Sequence, residues 1–234
     1  MALVHRWKLT TDLASEVGAK TVLSKTGTVT LNATDGAVFT GAGILKADIN
    51  ITFPFTVLFW AKKSNSLGQY VSFDERPDIS GACPLDFANL SDTVTLLYSG
   101  HSANSGGTYK DYFNYSFTKS ASGYDMYAIS VNKDRNFSLF VNNGVKLTPT
   151  GAGISETFAS VPIRRIIIGG HYICHWLNST IKDFRIYNTA LSLEEVQRTF
   201  TAGPMAVIAD PMNPTGMPPT TPLTTSAPFV IVGV

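Results

Sequence analysis

The chain has 234 residues, enough to bury one substantial core and still carry an appendage. Charged residues make up 15% and the formal net charge is +1, which excludes a nucleic-acid surface built on bulk positive charge. Val, Ile, Phe and Tyr are common and Glu is scarce, a balance that favours strands over helices.

In chain order, Leu3-Val4-His5-Arg6-Trp7 reads as a first strand with Trp7 facing the core. The opening MALVHRWKL has positive charge but no apolar stretch of the secretory kind, and no run is long enough to span a bilayer. Thr21 to Leu31 reads as two short strands broken at Gly27, and Asp35-Gly36 as a turn. Phe53 to Lys62 is the strongest strand. Phe55, Val57 and Phe59 alternate with Thr56, Leu58 and Trp60, and both faces are apolar, which predicts a central strand covered on both sides. Val71 to Phe73 and Thr93 to Tyr98 continue the sheet around a loop that holds Asp86.

Ser99 to Ser116 is rich first in Gly and Ser and then in Tyr, the composition of a binding loop. Tyr109, Tyr112 and Tyr115 are candidates for a stacking platform, with Trp176 as a further ligand contact. The competing reading is an ordinary strand that buries Phe113 and exposes the tyrosines. Tyr127 to Val131 and Phe137 to Val141 form a predicted hairpin, followed by a turn of type I′ chemistry at Asn143-Gly144. Arg164 to Gly170 gives another strand. In IKDFRIY, Phe184 and Ile186 share one face, and Arg185 and Tyr187 the other. Ser192 and Glu195 have capping-box spacing, with Leu191 and Val196 placed as a hydrophobic staple. Leu193, Val196 and Phe200 then make one apolar helix face.

From Gly203 the character changes. Seven of the 12 prolines lie in Pro204 to Pro228, among Thr, Ser and Met, so the segment reads as an extended arm. It ends in an apolar tip containing Phe229, Val230, Ile231 and Val232, which either docks on a body or neighbouring subunit or trails a linker.

Chemistry is sparse. Nucleophile elbows, zinc-protease helices and phosphate-binding glycine loops are absent. His171 and His175 on a strand would stand about 13 Å apart, too far to share an ion. The five Glu offer no pair at the spacing glycoside hydrolysis needs. Cys83 and Cys174 fit either one disulfide or two free thiols. Six Asn residues, among them Asn50 and Asn178, begin N-x-Ser/Thr triplets, which chance also yields in so Ser- and Thr-rich a chain.

From Asp183 to Glu195 the chain resembles the closing strand and helix cap of laminin-G-like domains, in the concanavalin-A-like jelly-roll superfamily. Phe55-Thr56 with Trp60, the SLFVNNG hairpin and RRIIIGG match further pieces of that pattern, so the resemblance runs from Leu3 to Phe200. Ala37 to Leu45 resembles the family's short strand ahead of the first long sheet strand. One departure is Ser179, where the family usually has a glycine just before the last strand, which puts a bulge or close approach there in doubt. The resemblance implies an all-β fold: a two-sheet antiparallel jelly-roll sandwich over residues 1–202, one short helix, and an extended arm over 203–234. It also implies a calcium ion at the rim with Asp86 of the D-F-x-x-L match as a ligand. By analogy the chain looks like a non-catalytic virion surface protein of tailed bacteriophages, anchored to neighbouring subunits by its arm and touching host glycans. No nucleic acid and no membrane insertion are expected. The alternatives are a secreted or cell-surface carbohydrate-binding lectin module and a glycan hydrolase.

Overall fold

The strand β4 (Phe55–Lys62) is an interior strand of the sheet, and its alternation explains how each face is covered. Phe55, Val57, Phe59 and Ala61 enter the main core, while Leu58 and Trp60 enter a second apolar cluster on the opposite face. Both faces are therefore covered, as the doubly apolar pattern predicts. The computed structural model describes residues 2–18, 20–64, 68–74, 85–89, 94–99, 111–147, 163–170 and 176–206.

The remaining elements are β1 (Leu3–Trp7), β2 (Ser24–Asn32), β3 (Gly36–Ile51), β5 (Gly68–Asp74), β6 (Leu85–Asn89), β7 (Val94–Ser99), β8 (Asp111–Ser116), β9 (Tyr124–Val131), β10 (Phe137–Val141), β11 (Val145–Lys146), β12 (Ile163–Ile168), β13 (Ser179–Tyr187) and α1 (Leu193–Ala202). Among the described residues every strand pair is antiparallel. The strands form one continuous curled sheet in the order β11-β10-β9-β4-β13-β3-β12-β5-β6-β7-β8, with β1 on β13 and β2 on β3. The expected two sheets are thus two halves of one jelly roll. The long β3 joins them: Ala37–Phe39 pair with β13, and Leu45–Ile51 pair with β12.

The main core lies between the halves. Phe59 is near its centre, with ring centroids 5.4 Å from Tyr127, 5.5 Å from Phe184 and 6.0 Å from Phe87. Full burial of each such ring stabilises by about 1.5–3 kcal/mol. Trp7 is buried in the same cluster, as expected. The second cluster sits outside the sheet, where Leu58, Trp60, Met126 and Phe140 meet Leu191 and Val196 around α1. The cap forms as read: the Ser192 amide donates to Glu195 Oε2 at 2.7 Å, and the Glu195 amide donates to Ser192 Oγ at 3.3 Å. Leu193 departs from the expected apolar face: at the first turn of the helix it is 47% exposed, and it meets the sheet near Gly144 in the hairpin loop.

Three local expectations change, and the doubt at Ser179 is answered. Residues 24–32 are one strand with an irregularity at Gly27, whose φ of +68° and close approach to the Ala42 carbonyl leave no room for a side chain. Residues 36–51 are one 16-residue strand, not a short strand before a longer one. Val141 pairs with Val145, so the hairpin loop is the three residues Asn142, Asn143 and Gly144, with positive φ at Asn142 and Gly144. Ser179 brings no bulge: its hydroxyl donates to the Lys62 carbonyl at 2.7 Å and ties β13 to the end of β4. The bulge comes later, between Lys182 and Arg185, where Asp183 has φ +52°.

Candidate functional site

The sequence candidates separate in the structure. Tyr109 and the tip residues Phe229, Val230, Ile231 and Val232 lie outside the described residues, as do Cys83, Cys174, His171 and His175. Tyr112 lies on β8, its backbone paired with Tyr98. Tyr115 is 0% exposed and belongs to the main core, which removes it from a surface platform. Strand alternation gives positions 113 and 115 the same parity, so a reading that buries the first does not expose the second. Trp176 is half-buried just before β13. Its ring lies over Gly170, where a Cβ would come within 3.0 Å of Trp176 Cε3. Asp86 falls within β6, paired with Ser72 on one side and Tyr98 on the other. Among the described residues no group of three or more His, Cys, Asp or Glu is placed to hold a metal ion.

Two charged arrangements were not legible in the sequence. The first surrounds Asp183 at the bulge. Arg6 Nε donates to Asp183 Oδ1 at 2.8 Å and Arg6 Nη2 to Oδ2 at 3.2 Å. Arg185 clasps the same carboxylate through Nε and Nη2. The Met205 amide donates to Asp183 as well, and Arg185 Nη2 donates to the Ala206 carbonyl at 3.3 Å. Burial pushes the Asp183 carboxyl up, but the hydrogen bonds from Arg185 and Arg6 outweigh it and hold the group below the usual carboxylate range. Two guanidiniums on one buried carboxylate make a structural clasp that seats the chain leaving α1.

The second arrangement is partly exposed. Lys62 Nζ donates to Asp35 Oδ1 at 2.9 Å, and the Tyr124 hydroxyl donates to the Asp35 carbonyl at 2.6 Å. Lys182 Nζ stands 3.8 Å from the Tyr124 ring centroid. Burial pulls the Lys182 ammonium below its ordinary value, with Lys62 adding to the effect against Asp35. Each group here is already engaged by its neighbours.

A cavity of about 250 Å³ opens at the rim where β1, β3, β4 and β13 end. Its walls are the apolar side of Val4, Ile51, Phe55 and Ile186. Polar groups come from His5 and from the exposed Asn50, Thr52 and Asn188. His5 is stacked on Trp7, with ring centroids 5.1 Å apart and planes at 8°. Its Nδ1 is buried without a hydrogen-bond partner, and burial lowers the imidazole pKa below its ordinary value. Sequence reasoning missed this cavity because its lining comes from separate segments. The nearest signals were the Asn50 triplet and the polar His5 in an apolar strand. Trp176 stands at the other end of β13, on the opposite rim.

The sequence matches no family model and no curated protein. Solved structures do match. The binding domain of botulinum neurotoxin serotype D superposes with a TM-score of 0.62 at 17% identity, covering 86% of this chain and 52% of that one. The same domain in complex with N-acetylneuraminic acid gives 0.62 at 14% identity, with 86% and 51% covered. Domain 4 of AbnA, an extracellular arabinanase of Geobacillus stearothermophilus, in complex with arabinotriose, gives 0.60 at 16% identity, with 84% and 97% covered. The chain thus spans about half the length of the neurotoxin binding domains it matches and nearly all of the arabinanase domain. At these identities what the proteins share is the fold: a curled antiparallel jelly roll with one short helix.

Proposed function

We propose that the chain is a non-catalytic carbohydrate-binding module. The observation that carries the reading is the fold it shares with a domain whose complex holds arabinotriose, and with half of the domain whose complex holds N-acetylneuraminic acid. The AbnA domain supports it most, since 97% of that domain is covered, so the likeness extends over a whole sugar-bound unit. The alternative read from the sequence, a lectin module, is therefore favoured over the virion surface protein, for which the fold likenesses offer no support. Sugar contact falls to rim and loop residues, with Tyr109, Tyr112 and Trp176 as proposed stacking residues. The arm from 203 onward, seated by the Asp183–Arg185 clasp, is proposed as the tether to a neighbouring subunit, with Phe229 to Val232 as its grip.

Binding without turnover is the test. The full chain is mixed with soluble arabinan, xylan and sialylated oligosaccharides, with and without a calcium chelator. Retention on at least one sugar, with the sugar recovered intact, is expected. Release of shorter products would contradict the non-catalytic reading and revive the hydrolase.

A further inference from the structure

We propose that the rim cavity bounded by β1, β3, β4 and β13 is a subsite for a single uncharged sugar ring, such as the terminal residue of a glycan. This rests on the carbohydrate-binding reading above and adds a subsite to it, on the rim opposite Trp176.

Size is the first argument. Ligand pockets commonly run from about 300 to 1,000 Å³. At about 250 Å³ this cavity holds one ring and not a chain. Charge is the second. None of the lining residues is a carboxylate, lysine or arginine. A carboxylated or sulfated sugar would find no counter-charge here and would lose its water. A neutral polyol would lose nothing it could not recover.

Chemistry is the third argument. A sugar presents an apolar C–H face and a rim of hydroxyls, each able to donate and accept. The cavity has that same division: Val4, Phe55 and Ile186 are apolar, while Asn50, Thr52 and Asn188 place amide and hydroxyl groups at the mouth. His5 adds the sharpest feature. A buried polar atom without a partner costs about 1–3 kcal/mol, and native structures seldom leave one without a reason. Nδ1 of His5 is such an atom, on a ring fixed by stacking against Trp7. His5 is among the lining residues, and a half-turn of its ring about χ2, which leaves the ring plane on Trp7, would offer Nδ1 to a hydroxyl in the cavity, accepting or donating according to the tautomer. The segments that meet here also resist closure. Ile186 pairs with His5 across β1 and β13, and the Asn188 amide donates to the Ala2 carbonyl at 3.1 Å, so the rim is held open by backbone ladders.

The experiment titrates the full chain, by protein-observed NMR, with arabinotriose and with the methyl glycosides of glucose, galactose, mannose and fucose. Two variants are compared with the parent. His5→Phe keeps the stack on Trp7 and removes the nitrogens. Thr52→Trp plugs the mouth from an exposed position that the fold does not depend on. At least one neutral probe should bind the parent, about tenfold more weakly to His5→Phe, the loss of one hydrogen bond. Binding to Thr52→Trp should be abolished. Unchanged affinity in a folded Thr52→Trp would overturn the cavity assignment. So would a failure of every small neutral probe when larger or acidic glycans bind; in that case the general carbohydrate-binding reading stands and only the subsite falls. A chain that binds no glycan of any kind would remove both.

Discussion

Two regions of the molecule are equally dry and held by opposite means. Around Phe59 the chain packs rings against rings, with Tyr127, Phe184 and Phe87 at 5.4–6.0 Å. Around Asp183 it packs two guanidiniums and a backbone amide against one carboxylate. The first region gains from loss of water and tolerates changes that conserve volume. The second gains only while each charge keeps its partner, because desolvation of an ion is costly. Burial alone therefore says little about how a site will fail.

The largest effect should come from breaking the clasp. Asp183→Ala leaves Arg185 buried without its carboxylate and Arg6 with only the longer contact to Glu16 at 3.7 Å, and it also puts alanine at a φ of +52°. A loss of about 3–5 kcal/mol is expected in chemical denaturation. Phe59→Ala should cost a similar amount, about 3–5 kcal/mol, through the cavity it leaves. Acid separates the two. The Asp183 carboxyl titrates lower in the folded chain than in the unfolded one, so its contribution is complete above about pH 4 and is lost as pH falls through the folded value. The deficit of Asp183→Asn relative to the parent should therefore shrink as the solution is acidified. The deficit of Phe59→Ala should not. Equal pH dependence in both variants would erase the distinction.

Smaller effects sharpen the same contrast. Thr56 Oγ1 donates to the Thr189 carbonyl at 2.8 Å and accepts from the Leu191 amide at 2.9 Å, holding the turn between β13 and α1. Thr56→Val preserves shape and strands both groups, for an expected loss of about 1–3 kcal/mol in thermal unfolding. Ser192→Ala removes one half of the helix cap and should cost about 1 kcal/mol. Should Thr56→Val prove neutral, the turn is held by packing against Trp60 and Val196 instead.

What was legible in the sequence was local. Alternation over Phe55–Lys62 reports a strand covered on both faces because side-chain direction there depends on nothing beyond parity. The Ser192–Glu195 spacing reports a cap because both partners lie within one helical turn. The glycine pair at Gly169-Gly170 shows its meaning only in three dimensions: Gly169 has φ +91°, and a Cβ there would sit 2.1 Å from the Phe39 ring. The Asp183 bulge was hidden because an alternating strand gives no sign of a positive φ, and Arg6 is 177 residues away from its partner. The rim cavity was hidden for the same reason: four segments meet there, and the one motif among them, the Asn50 triplet, says nothing of a cavity. Tyr115 shows the converse, a residue suited to binding that packing claimed for the core.

The central claim is recognition of sugar by this jelly roll. The most direct measurement is a glycan array probed with the intact chain, followed by competition with each free sugar that scores. The account predicts saturable binding to a restricted set of glycans, displaced by the matching free sugar and absent from a heat-unfolded sample. A folded chain that leaves every neutral and acidic glycan on the array unbound would contradict it.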